Sequence, residues 1–388
     1  DAAIIDKLVE RGRTAKDFPL ADANQDNVLN ADDARLVRDV AAGKPAVIWH
    51  VNYHDFNGDG TMDEELVSTK FPITSAISTG STNTLVLEMM LGLADNIKGA
   101  TYGNTNDAKL LGKTMLNTDR VERIGTSTMK IPFEDGKAGS TNIIAEKNVT
   151  AVIADWNRSY LTNEADFEKS NIDVVRVAAA AIDRETTTHT YMLLGLLFQK
   201  SERADQLLTL CMDVYDYVEN SVKNSEKPKA VASSSNGSIS SITSDYTQSV
   251  LTAGAEFPLG SIDFAGSSGL AIVEHPEVYL IDFPYLFHIR NQVSYDQSPE
   301  SLQDAWDTAT APFKDWKYAD SGQYVVCAIM PMCLRVAYVA TVLHPDTVSI
   351  EKVNEFHQKL VDDFFDCKDH FNVSEMKFVL TPEEYAKA

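Results

Sequence analysis

The chain has 388 residues, 44% of them hydrophobic and 23% charged; these are globular values that exclude wholesale disorder, and the length exceeds one ordinary domain. Fifty-seven acids against 34 bases give a net charge of −23, which argues against a nucleic-acid binder, since that needs a cationic footprint. So acidic a surface suits a soluble protein in a salty or calcium-containing exterior. No run approaches the roughly 18 uninterrupted apolar residues of a membrane helix. The chain opens on Asp1 rather than Met, which leaves room for an upstream leader or anchor.

The elements follow in order. Residues 1–12 and 33–43 form a short internal repeat, each copy an amphipathic helix closed by a glycine, Gly12 or Gly43. Val47, Trp49, Val51 and Tyr53 then alternate with Ile48, His50 and Asn52, which predicts a strand. The polar segment 55–65 interrupts it, and 66–73 reads as the returning strand of a hairpin. From Ser75 onward short apolar runs alternate with helical stretches: helix at 84–93, strand at 149–154, strand at 174–179, helix at 191–198. That alternation predicts a parallel sheet with helices on both faces.

Residues 202–223 carry the longest helical pattern, with Leu207, Leu208, Cys211, Val214, Tyr215 and Val218 on one side; Lys227-Pro228 ends it. A second series follows: strand at 230–232, polar loop at 233–244, helix at 245–253, strand at 278–281, an apolar run at 324–329 and helix at 334–343. Residues 350–371 read as helix again. The fold class expected is therefore α/β, with two lobes joined by one long helix and preceded by a small helical module and a hairpin. The boundaries expected are 1–45, 46–74, 75–200, 201–225 and 226–388.

The strongest local signal runs from Asp22 to Asp33. Calcium takes six to eight oxygens, and a twelve-residue loop supplies them from positions 1, 3, 5, 7, 9 and 12. Those positions hold Asp22, Asn24, Asp26, the Val28 carbonyl, Asn30 and Asp33. Position six, which needs positive φ, is Asn27, and asparagine is the best non-glycine residue there. The plainer alternative is a solvated acidic turn; calcium is preferred because five side chains match at fixed spacing. This pattern, followed by Ala34-Arg35-Leu36-Val37, resembles the dockerin repeat, whose loops end in Asp. The resemblance implies Ca²⁺ and a cohesin-like surface partner.

A second acidic loop holds Asp55, Asn57, Asp59, Thr61 and Asp63, but its twelfth position is Leu66, which cannot ligate. Asn57-Gly58-Asp59-Gly60 between two strands also describes a hairpin turn, so cation and turn both stay open. Gly112-Lys113-Thr114 matches the end of a P-loop, but Asp107 stands where its first glycine should be. GxGxxG, HExxH and GxSxG are absent, and the eight histidines are scattered. The cysteines Cys211, Cys327, Cys333 and Cys367 form no CxxC pair, which removes zinc ribbons and leaves both one disulfide and free thiols open. Asn148, Asn157, Asn236 and Asn372 head glycosylation sequons, compatible with export. No residue is nominated as catalytic.

From Ile73 to about Pro345 the order of elements resembles the substrate-binding proteins of ABC importers for iron complexes, haem and corrinoids. Several segments carry the likeness: Ser75–Gly80 with the helix beginning at Thr84, the strand ending in Asp155-Trp156, the helix over 202–223 with Lys227-Pro228, the run from His275 to Asp282, and the closing helix before His344-Pro345. The resemblance implies two Rossmann-like lobes on a rigid helix, no enzymatic activity, an ABC permease as partner, and an extracellular, membrane-anchored site of action. Ligands of open α/β sheets sit beyond the carboxyl ends of strands. The candidates are therefore Thr79, Ser81, Tyr102, Trp156, Arg158 and Tyr160 in the first lobe, and Ser233, Ser234, Asn236 and Tyr285 in the second. Met330 follows another expected strand. Trp156 and Tyr160 offer faces for a macrocycle, and Arg158 a fork for a carboxylate or phosphate. The rival reading is a surface docking protein using the dockerin-like module. A metallocluster enzyme or metallochaperone of a related two-lobe fold is disfavoured by the lack of a cysteine-rich ligand set.

Overall fold

The computed structural model describes residues 1–55, 57, 60–101, 122–124, 144–233, 237–260, 262, 264, 269–271, 278, 281–290, 293, 295, 297–316, 322–365 and 371–385. Helices α1 (Ala2–Glu10) and α2 (Ala31–Ala41) close over a small core of Ile5, Ala15, Ala21, Leu29 and Ala34. Strands β1 (Ala46–His54) and β2 (Asp63–Phe71) pair antiparallel, Ala46 opposite Phe71 and His54 opposite Asp63, as the alternating pattern predicts.

A parallel sheet follows, built from β3 (Ala76–Thr79), β4 (Ile97–Ala100), β5 (Glu122–Arg123), β6 (Ala151–Asp155) and β7 (Asp173–Val177). Its order is β5-β4-β3-β6-β7, so the chain winds outward from β3 on one side and returns to fill the other. All five residues of β6 are buried, as expected of a strand covered on both faces. Helix α3 (Thr82–Met90) leaves the end of β3, α4 (Glu164–Lys169) lies between β6 and β7, and α5 (Arg184–Leu197) follows β7.

The hairpin is fastened to β7 along its length. The Asn52 side chain stands in for a strand neighbour: its Nδ2 donates to the Val174 carbonyl at 3.0 Å and its Oδ1 accepts from the Arg176 amide at 2.9 Å. The Lys70 amide donates to Asp173 Oδ2 at 2.7 Å, and the Asp55 amide to the Trp156 carbonyl at 3.2 Å. A sheet edge that would otherwise present unpaired groups is thereby covered.

Helix α6 (Ser201–Val222) occupies the expected place of the long helix. The second sheet joins β8 (Ala230–Ser233), β11 (Tyr285–Arg290) and β12 (Gln323–Cys327) in parallel, with β13 (Val379–Leu380) antiparallel at the edge. Between β8 and β11 the chain forms β9 (Ser238–Ser240), α7 (Asp245–Thr252) and β10 (Gly269–Ala271), β9 and β10 pairing antiparallel. Helices α8 (Pro299–Thr310), α9 (Met332–Leu343) and α10 (Ile350–Phe364) complete the elements used below. One hydrophobic core runs from Ile73 through Leu207, Leu210, Val214 and Val218 of α6 to Leu380, so side chains of both sheets share it with the long helix.

Two expectations shift. Val278 and Ile281 are not in a strand; they pack with Phe283 and Trp316 in a side cluster, and the sheet strand begins at Tyr285. The last long helix ends at Phe364 rather than running to Phe371. Cys211, Cys327 and Cys333 are buried free thiols, while Cys367 lies outside the described residues. Among the described residues no helix is long and apolar enough to cross a membrane.

Candidate functional site

In the first sheet the strand order reverses between β3 and β6, and the chain leaves their carboxyl ends toward opposite sides, to β4 and to β7. A crevice at such a point is where doubly wound sheets hold ligands. Here it opens into a cleft of about 1360 Å³. Ser81, Asn83, Asp155, Trp156, Asn157 and Tyr160 line it from the β3 and β6 ends, and residues 180–184 from the end of β7. Tyr215, Val218, Glu219 and Val222, one stripe of α6, form its floor. From the second half come Ser241 to Tyr246, ahead of and within α7, together with Ile262 and Phe264.

The loop that carries Trp156 and Tyr160 is held from behind by a buried cation. Arg176 is 1% exposed. Its Nη1 donates to the Asp155 carbonyl at 2.8 Å, its Nη2 to the Leu161 carbonyl at 2.9 Å, and its Nε to Glu164 Oε2 at 2.8 Å. Thr79 Oγ1 donates to the Tyr160 carbonyl at 2.5 Å, and the Asn157 side chain accepts from the Ser159 amide. Five carbonyl and side-chain anchors over the ten residues from Asp155 to Glu164 make this a preorganised loop. Across the cleft Arg335, also 1% exposed, plays the matching part: it donates to Asp245 Oδ2 at 2.7 Å and to the Ala328 carbonyl at 2.8 Å.

Electrostatically the cleft is mixed. Burial pushes the Asp155 carboxyl up to about 6, although the Asn157 amide, Ser81 and the Arg176 guanidinium draw it back. Asp183 caps α5 by accepting from the Thr186 amide at 2.8 Å. Arg184 lies over the Tyr215 ring and pairs with Asp216 at 2.6 Å and Glu219 at 2.9 Å, so its fork is fixed in place. The walls thus combine aromatic faces, hydroxyl groups and a few held charges, a composition suited to binding by shape with polar anchors.

Ser81, Trp156 and Tyr160 are on the cleft wall as the sequence suggests. Four other expected residues are elsewhere. Thr79 is fully buried beneath the loop and positions Tyr160. Arg158 is exposed, off the cleft wall, because a short 3₁₀ turn (Arg158–Tyr160) rotates it away. Ser233 is buried at the end of β8. Tyr285 begins β11 instead of following a strand, so it lies at the far end of the sheet, stacked near Tyr324 at 6.0 Å between ring centroids. Met330 is buried as well. Tyr102, Ser234 and Asn236 lie outside the described residues. The guanidinium on the cleft is Arg184, which sequence reasoning passed over. Its signal was the Asp183-Arg184 pair between a strand pattern and a helix. The residues from Ser241 to Asp245 were visible only as part of a polar loop.

In the N-terminal loop Gln25 and Asn27 take positive φ, 59° and 66°, so Asn27 has the conformation its position demands. Asp22 accepts from the Asp26 and Asn27 amides at 3.2 and 2.8 Å. Asp33 accepts from the Asn24 and Asn30 amides at 3.2 and 2.9 Å, and Asn30 caps α2 by accepting from the Asp32 amide. Val28 exposes its side chain while its carbonyl accepts from Asn30 Nδ2. In the second loop Asp55 is buried and accepts from the Gly60 amide at 3.3 Å, Asn57 and Thr61 are partnered, and Asp63 begins β2; Asp59 lies outside the described residues. Among the described residues no group of three or more His, Cys, Asp or Glu is placed to hold a metal ion.

No protein-family model matches the chain, and no curated protein does. Solved structures match its fold. A TroA-like periplasmic binding protein from Veillonella parvula is 14% identical with a TM-score of 0.62, over 82% of this chain and 97% of the other. An ABC transporter solute-binding protein from Sulfurospirillum deleyianum is 16% identical at a TM-score of 0.54, over 80% and 96%. The molybdate-binding periplasmic protein of a Haemophilus influenzae ABC transporter is 13% identical at 0.54, over 77% and 95%. The fold shared is that of periplasmic binding proteins, and each of these is named as a binding protein rather than as an enzyme.

Proposed function

We propose that this protein is an extracellular solute receptor that captures a metal complex, of the ferric siderophore, haem or corrinoid type, and hands it to an ABC permease. The observation that carries the reading is the large cleft at the switch point, walled by Trp156, Tyr160 and Phe264 and floored by α6. Titrating the protein with haemin, cyanocobalamin and a ferric catecholate siderophore tests it, with native mass spectrometry of the purified protein to catch a retained ligand. Trp156→Ala should weaken whichever probe binds by about 1–3 kcal/mol, through lost contact area and stacking. Wild-type protein that binds none of the three and retains nothing would overturn the reading.

The loop from Asp22 to Asp33 is proposed to hold Ca²⁺ through Asp22, Asn24, Asp26, Asn30, Asp33 and the Val28 carbonyl. Four carboxylates share this loop; Asp32 pairs with Arg35 at 3.1 Å, while the three expected ligands Asp22, Asp26 and Asp33, the first and last of them buried, form no ion pair among the described residues, a crowding of like charge that a cation relieves. Asp22→Ala with Asp26→Ala should remove one calcium by elemental analysis of the dialysed protein; an unchanged metal count would leave an acidic turn. A second reading gives the same module a cohesin-like docking partner. It draws on the exposure of Leu20, 98%, and of Ile4, Phe18 and Val28 in the same module. Binding of a cohesin domain that Leu20→Asp abolishes would support it, and no binding would dismiss it.

A further inference from the structure

The cleft has a third wall that belongs to neither sheet. Gly60, Thr61 and Met62, at the foot of β2 beside the turn of the β1–β2 hairpin, line the same cavity as Trp156 and Tyr160. Gly60 is held at φ +80°, a conformation that favours glycine, and its amide donates to the buried Asp55 carboxyl. One residue from the end of β1, the Asp55 amide donates to the Trp156 carbonyl, so the root of the turn is tied to the aromatic loop it faces. Farther along, Asn52 and Lys70 bind the hairpin to β7, and His189 Nε2 lies 3.0 Å from the Val51 carbonyl. Tyr53 and His189 meet edge to face at 5.0 Å. A hairpin fixed at so many points cannot swing clear of the cleft without breaking several buried bonds at once. Met62 is half-buried and Thr61 exposed, so part of this short segment faces the cavity and is not absorbed in packing.

We propose that Gly60-Thr61-Met62 is a ligand-contacting wall and that Met62 sets how bulky an apolar ligand the cleft accepts. The proposal rests on the cleft being the binding site. Thioether side chains are flexible and polarizable, and they pack well against flat aromatic or irregular apolar surfaces. Trp156 and Tyr160 line the same cavity, with Ile262 and Phe264 contributed from the second half, so an extended ligand would meet the hairpin segment, the aromatic loop and the second half together.

The test is calorimetric titration of wild type, Met62→Ala, Met62→Trp and Trp156→Ala with haemin, cyanocobalamin and a ferric catecholate siderophore, alongside thermal melts of each variant. Met62→Ala should weaken the bound probe about three- to tenfold. Met62→Trp should move the preference toward the smallest probe, and neither variant should melt earlier, since the residue lies at the rim of the fold. Met62 variants that match wild type in affinity and preference while Trp156→Ala loses binding would overturn the hairpin wall and spare the cleft. Wild type binding no probe, or Trp156→Ala and both Met62 variants all binding as wild type does, would overturn the cleft and this proposal with it.

Discussion

Glu88 is a costly residue to bury. It sits on α3, fully buried, and neither carboxylate oxygen has a hydrogen-bond partner of good geometry. Burial pushes it up to about 8, with the Ser78 hydroxyl only softening the effect. The unfolded chain would release this proton near 4.5, whereas the folded protein keeps it until about 8. The folded state therefore binds the extra proton between those values, and stability falls as pH rises through that window, by about 1.4 kcal/mol per pH unit. Below 4.5 both states are protonated and the penalty vanishes; above 8 it is complete. Asp155, raised in the same direction, adds a smaller share at lower pH. Glu88→Gln keeps the shape and removes the ionisation. Urea titrations from pH 5 to 8 should show the variant losing much less stability than wild type, and parallel curves would show that Glu88 finds a partner when ionised.

At the scale of elements, α5 and α6 approach each other closely. A Cβ placed on Gly195 would lie 2.4 Å from the Ala204 Cβ, closer than carbon atoms can approach. Gly195→Ala should therefore push the two helices apart and cost on the order of 1–3 kcal/mol, read as a lower urea midpoint. Pairing it with Ala204→Gly should recover most of the loss, because that removes the opposing methyl; no recovery would mean the strain lies elsewhere. Helix α6 is also the most legible element in the sequence, whereas α5 begins at Arg184, seven residues before the expected start at 191. The 3.6-residue stripe through Leu207, Cys211, Val214 and Val218 is long enough to admit only one period, and α6 lies where it predicts. Short apolar runs are different. Residues 278–281 and 285–289 both satisfy a buried strand, and Leu286 even shares a cluster with Val278 and Ile281; what separates them is that Tyr285–Arg290 pairs with β8 and β12. A strand placed at 278–281 puts Tyr285 after its carboxyl end, whereas Tyr285 opens β11. Trp156 and Tyr160 were legible because they directly follow a strand. The α6 floor was not, since Tyr215 and Val218 have the spacing of core residues and are themselves buried.

At the scale of the whole molecule, α6 decides how far the cleft can close. It is 22 residues long, about 33 Å at the usual rise, and it is the chain's passage from the first sheet to the second. Its apolar face lies inside the core shared by both sheets, and α5, α9 and α10 pack against it. Arg203 fastens it further, donating through Nε to the Met90 carbonyl and through Nη2 to the Phe364 carbonyl at 2.9 Å, one bond toward each half of the chain. Wide closure would have to bend this helix, rupturing backbone bonds along one side and opening the core beneath. Large domain swings need loop residues that absorb the rotation, and here a buried helix occupies their place. Ligand should therefore enter a largely preformed cleft, with backbone shifts of about 1 Å, the range of preorganised complexes. Small-angle scattering of the free protein and of the protein saturated with a bound probe should give radii of gyration that agree within about 1 Å. Arg203→Ala, which releases both bonds, should widen that difference and slow capture by leaving an ensemble of openings. Compaction by several Å in the wild-type protein would place a hinge where the fold has a helix, and would overturn this view of α6.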